Sequence, residues 1–124
     1  MQVILFTPGL NGPIEELQHS IAELVGSNNL EIFRTITNFT QRLQQPVDNP
    51  TVAVLAAATK EDLADILAIR SWLERVKVIV VLPDNETETI SQGHKLHPRF
   101  LTYADSDFQD VAAVLCKMLS FEKY

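Results

Sequence analysis

The stretch Val3-Ile4-Leu5-Phe6-Thr7-Pro8-Gly9-Leu10-Asn11-Gly12, VILFTPGLNG, sets the reading of the chain. Four successive apolar residues, two of them β-branched, fit a strand covered on both faces, because a half-exposed strand would alternate apolar with polar. Pro8, Gly9 and Gly12 then break the extended run. The adjoining segment, PIEELQHSIAELVG at 13–26, spaces Ile14, Leu17, Ile21 and Leu24 three to four apart, the stripe of an amphipathic helix. Pro13 suits its first turn, Asn11 or Gly12 its cap and Gly26 its stop. A buried strand feeding a one-sided helix is a β/α unit.

Four more such units succeed it. LEIFRTI (30–36) reads as a strand and NFTQRLQQ (38–45) as a short helix opened by Thr37 or Asn38. TVAVLAA (51–57) is the third strand, and TKEDLADILAIRSWLERV (59–76) one helix, with Thr59 and Asp62 at capping-box spacing. VKVIVVL (76–82) is the fourth strand, and NETETISQGHKL (85–96) a weaker helix broken by Gly93. RFLTYA (99–104) is the fifth strand. SDFQDVAAVLCKML (106–119) closes the chain, with Phe108, Val111, Ala112, Leu115 and Leu119 on one helical face.

Strand composition predicts the sheet order. VILF, TVAVLAA and VKVIVVL are near-continuous apolar runs suited to internal strands, whereas LEIFRTI and RFLTYA carry charged and polar residues suited to edges. Right-handed parallel crossovers then give the order 2-1-3-4-5 in one domain over residues 1–124, a three-layer α/β/α arrangement of the flavodoxin-like class.

Composition bounds the function. The 124 residues suffice for one core without disulfide or metal staples. Ten Lys and Arg against sixteen Asp and Glu give a formal charge of −6, which disfavours nucleic acid as a partner. A single cysteine, Cys116, permits no internal disulfide and no cysteine-based zinc site, and fits a reducing compartment. With no leader pattern after Met1 and no apolar run of about 18 residues, the expectation is a cytoplasmic protein without a membrane span.

The alternation, the helix lengths and the tail HPRFLTYADSDFQDVAAVLCKML (97–119) resemble the receiver domains of bacterial response regulators over nearly the whole chain. A phosphorylatable receiver, on that resemblance, has two acidic residues after the first strand, an aspartate after the third, Ser or Thr after the fourth and lysine after the fifth. The matching positions here are Thr7 and Pro8, Ala56 or Ala57, Leu82 and Tyr103. None keeps the required type. Magnesium needs hard oxygen ligands, and the phosphoryl group needs a carboxylate to accept it. The resemblance is therefore to a degenerate receiver, a pseudo-receiver.

Three further sets of residues bear on chemistry. The turn TPGLNG presents glycines between strand and helix, the alternative being a small flavodoxin-like protein that binds a flavin or nucleotide phosphate there. It matches neither G-x-G-x-x-G nor G-x-x-x-x-G-K-[ST], and Pro8 and Pro13 donate no N–H, so a structural turn is the stronger reading. Asp84, Glu86 and Glu88, with Asp105, Asp107 and Asp110, fall after the fourth and fifth strands, where a weak cation site competes with helix capping by Asp84 or Asn85 and Asp105 or Ser106. His19, His94 and His97 lack both metal-ligand spacing and a nucleophile pattern.

Read as one continuous helix, residues 59–76 spread their apolar side chains over an arc of roughly 220°, more than a sheet face covers. Ile69, Trp72 and Val76 lie at one margin, where Trp72 is either exposed as part of a protein interface or folded back over the sheet edge. The expectation is a non-catalytic module, without cofactor or metal, that acts in signalling or regulation through a protein partner or as a homodimer.

Overall fold

The computed structural model describes residues 2–7, 12–45, 51–57, 59–74, 76–103, 113–115 and 117, with backbone alone at 12–14, 27 and 103. Five strands, β1 (Gln2–Phe6), β2 (Leu30–Phe33), β3 (Thr51–Ala56), β4 (Lys77–Leu82) and β5 (Phe100–Tyr103), form one parallel sheet in the order 2-1-3-4-5. With them run the helices α1 (Gly12–Val25), α2 (Ile36–Gln44), α3 (Lys60–Ala68), α4 (Arg70–Leu73) and α5 (Thr87–His94). This is a flavodoxin-like α/β fold.

Strand pleat divides the core into two. Ile4, Phe6, Ala53, Leu55, Val78, Val80 and Leu82 project to one face, against Phe39 and Leu43 of α2, Leu63 and Ile66 of α3 and Leu73 of α4. Their chain neighbours Val3, Leu5, Val52, Val54, Ala56, Ile79 and Val81 project to the other, against Leu17 and Ile21 of α1 and Leu115. The chain moves from β1 outward to β2 and then reverses to β3, β4 and β5. Right-handed crossovers on opposite headings place α1 and α2 on opposite faces. All six residues of β3 are buried, while β2 at the edge has none fully buried, as their compositions predict.

Several boundaries differ from those read in the sequence. The second strand stops at Phe33, because Thr35 is extended (φ −122°, ψ 148°) and its side chain accepts the Asn38 N–H at 3.2 Å. Thr35 therefore caps α2, and neither Thr37 nor Asn38 does. Residues 59–76 are not one helix. The Ile69 N–H bonds to Ile66 O and Leu67 O, and its backbone (φ −108°, ψ 16°) leaves the helical region, so α3 ends and the one-turn α4 begins anew.

Gly93 does not break its helix. It lies buried inside α5, where a Cβ would stand 2.9 Å from Leu101 Cδ1 and 3.0 Å from Leu82 Cδ2. Tertiary packing outweighs the roughly 1 kcal/mol that glycine forfeits in a helix. Gly26 is the expected stop of α1, with φ 81° and its N–H bonded to Ala22 O. The Thr59–Asp62 capping box is present, both reciprocal bonds at 3.2 Å.

In the closing segment, residues 113–115 are helical and Leu115 is fully buried; Phe108, Val111, Ala112, Cys116 and Leu119 lie outside the described residues or their described side chains. Among the described residues no helix is long and apolar enough to cross a membrane.

Candidate functional site

In an open α/β sheet, the carboxyl ends of the strands where the order reverses are the expected ligand site. Here that edge lies past β1 and β3. Thr7 comes directly after Phe6 and is fully buried; Ala56 ends β3 and Ala57 follows it, at 1% and 0% exposure; Leu82 ends β4, also fully buried, beside Tyr103 of β5 in the sheet register. The backbone there is engaged as well. The Thr7 N–H donates to Phe33 O at 3.0 Å, the Arg34 guanidinium donates from Nη1 to Thr7 O at 3.2 Å, and Ala57 N–H donates to Val81 O at 3.0 Å. Arg34 also reaches Gln18 Oε1 of α1 from Nη2, tying the end of β2 to that helix. Pro8 and residues 9–11 of the TPGLNG turn lie outside the described residues.

Chemically, the described part of this edge offers a hydroxyl, aliphatic side chains and occupied carbonyls. Thr7 and Ala56 contribute no anionic oxygen to hold a hard cation, and Ala56 and Ala57 no carboxylate to attack phosphorus. Arg34 is the member that pattern reading missed. Its position after an edge strand carries no periodic signal, and only the β1–β2 pairing brings it to Thr7.

Two of the acidic residues after β4, Asp84 and Glu86, are engaged in local bonds. Asp84 Oδ1 accepts the Glu86 N–H at 3.0 Å, and Glu86 itself is the cap position of α5, in place of Asp84 or Asn85. The Thr89 hydroxyl, then the Glu86 N–H, hold the Asp84 carboxyl below its ordinary value by favouring its charged form. Across the gap to α3, Lys60 Nζ meets Glu86 Oε2 at 2.5 Å, with both side chains more than half exposed. That hydrogen bond, with the Glu86 charge second, holds Lys60 above its ordinary value. Among the described residues no cluster of three His, Cys, Asp or Glu is arranged for a metal ion. Asp105, Asp107 and Asp110 fall outside them.

Ile69, Trp72 and Val76 come together along the α3–α4 break and the turn into β4. All three are half-buried and pack against the core cluster beneath α2, α3 and α5, so Trp72 is not the exposed residue that a continuous helical wheel predicts. Among the described residues the exposed large apolar side chain is Ile32, on edge strand β2, at 38%. His19, His94 and His97 are all exposed and separate from this edge.

Comparison with protein-family models, with curated proteins and with solved structures finds no match to this chain.

Proposed function

We propose that the chain is a receiver-like module without phosphotransfer, a pseudo-receiver, that works by contacting another protein. One observation carries the reading: where the receiver resemblance calls for carboxylates, Thr7, Ala56 and Ala57 stand at 0–1% exposure. A module with this sheet and without that cage retains surfaces rather than chemistry.

The contact surface we assign to Ile69, Trp72 and Val76, each of which keeps part of its area in solvent. A second copy of the chain in a symmetric dimer is the simplest partner.

Two measurements test the two halves. Incubation with magnesium and a small phosphodonor is expected to leave the intact mass unchanged; a stable gain of one phosphoryl group removes the reading. Sedimentation and urea denaturation of Trp72→Ala beside the parent test the contact. The expected result is a loss of association of about 2 kcal/mol or more. Unchanged association together with a large fall in the denaturation midpoint makes Trp72 a core residue only.

A further inference from the structure

The opposite edge of the sheet, at the amino ends of β4 and β5, holds a cavity of about 780 Å³. That volume lies in the range of small-molecule sites, about 300–1,000 Å³. Its floor is apolar: Leu73, Val78 and Leu96 are buried there, at 2%, 3% and 6% exposure. Its rim is cationic. Arg70 of α4, Lys95 after α5 and Arg99 before β5 line it with His94 and His97, and Glu74 is the one acid among the lining residues. Three of the chain's ten Lys and Arg and two of its three His thus converge on one cavity of a protein whose formal charge is −6.

Helix capping does not account for this convergence. A helix carboxyl end carries roughly −0.5 charge, and the four-residue α4 adds little to the share of α5. Against that and Glu74, three permanent cations leave a surplus of more than one positive charge, before either histidine is counted. Nor are the cations neutralised: among the described residues, Arg70, Lys95 and Arg99 form no ion pair.

The turn that carries Lys95 and leads into Arg99 is held by backbone hydrogen bonds. Lys95, Leu96 and His97 each donate their N–H three residues back, to Gln92, Gly93 and His94, at 3.1 Å, and the Arg99 N–H donates to Val78 O at 2.7 Å. His97 is left-handed, with φ 50°. A non-glycine residue there is uncommon, and such conformations persist where the surroundings over-determine them.

We propose that this cavity binds a small organic phosphate of nucleotide size, its phosphates held by Arg70, Lys95 and Arg99 and its apolar body seated on Leu73, Val78 and Leu96. Two arginines favour phosphate, whose oxygens match the planar fork of the guanidinium. The apolar floor adds a contact that an organic phosphate can use and an inorganic anion cannot.

The test is a titration of the ¹⁵N-labelled full chain, in magnesium-free buffer, with ATP, adenosine and tripolyphosphate. ATP is expected to give saturable amide shifts confined to residues 70–78 and 91–99, with adenosine and tripolyphosphate each weaker by at least about tenfold. Arg70→Ala with Arg99→Ala, and separately Lys95→Ala, are expected to weaken ATP by at least about tenfold while spectral dispersion is retained. Lys60→Ala, at the far edge, should leave it unchanged. No saturable shift at millimolar ATP, shifts centred elsewhere, or tripolyphosphate binding as tightly as ATP would each overturn the proposal.

Discussion

Gly93 on α5 faces Leu101 on β5 so closely that a Cβ on the glycine would sit 2.9 Å from Leu101 Cδ1. Gly93→Ala sets two effects against each other. Helix propensity favours alanine by about 1 kcal/mol, whereas forcing a methyl against Leu101 and the fully buried Leu82 costs typically 1–3 kcal/mol. The closer contact is with a methyl of the half-buried Leu101, while the Leu82 methyl at 3.0 Å belongs to a fully buried side chain, so the balance turns on how far Leu82 yields. Urea denaturation is expected to show a net loss of about 1 kcal/mol; a variant more stable than the parent would mean that the leucines yield freely.

Phe39 anchors the layer between α2 and the sheet. It is fully buried, with ring centroids 5.4 Å from Phe6 and, edge-on, 5.7 Å from Phe33. Phe39→Ala removes both aromatic contacts and leaves a cavity, an expected loss of about 3–5 kcal/mol in the same assay. Phe39→Leu, which retains most of the volume, should cost clearly less.

The capping box at the start of α3 gives a smaller, local effect. Thr59→Ala removes the acceptor for the Asp62 N–H and is expected to lower stability by about 1 kcal/mol, as read from the denaturation midpoint, with Thr59→Ser recovering most of it. An undiminished midpoint for the alanine variant would show that the helix start is held by packing alone.

Asp84 carries the pH prediction. Its carboxyl is held low in the folded chain, chiefly by Thr89 and then by the Glu86 N–H. A depressed folded value means that the stabilisation is present above the unfolded value of 3.8 and is lost as pH falls through the lower folded value. The carboxyl carbon of Asp84, followed by NMR, should titrate below the ordinary aspartate range. In Thr89→Val, which removes the first cause and keeps the shape, it should move back up; an unmoved titration would reject Thr89 as the cause. Lys60 runs in the opposite sense, its contribution present below 10.5 and lost as pH rises through its raised folded value.

The range over which each signal acts explains which features are legible in the chain and which are not. VILF, TVAVLAA and VKVIVVL are near-continuous apolar runs because covered strands have no solvent face, and they do occupy the three central places in the sheet. The Thr59–Asp62 box and the Gly26 stop are equally legible, since a cap is made by residues within four positions of each other. In the candidate site, Thr7, Ala56, Ala57 and Leu82 are directly readable, because the residue after a strand in a parallel sheet lies at its carboxyl edge.

Other features were decided by the tertiary structure. Gly93 reads as a breaker by propensity, yet it stays helical because β4 and β5 leave no room for a side chain beneath α5. Residues 59–76 read as one helix by periodicity, and Ile69 interrupts it. Arg34 reaches Thr7 across 27 positions, and Arg70, Lys95 and Arg99 meet around one cavity from three separate places in the chain. The sequence alone determined most of the elements and the central and edge strands, because side-chain period and residue type are local properties. Only the folded chain decided which distant residues meet, because that depends on crossover handedness, strand register and the close packing of helices on the sheet.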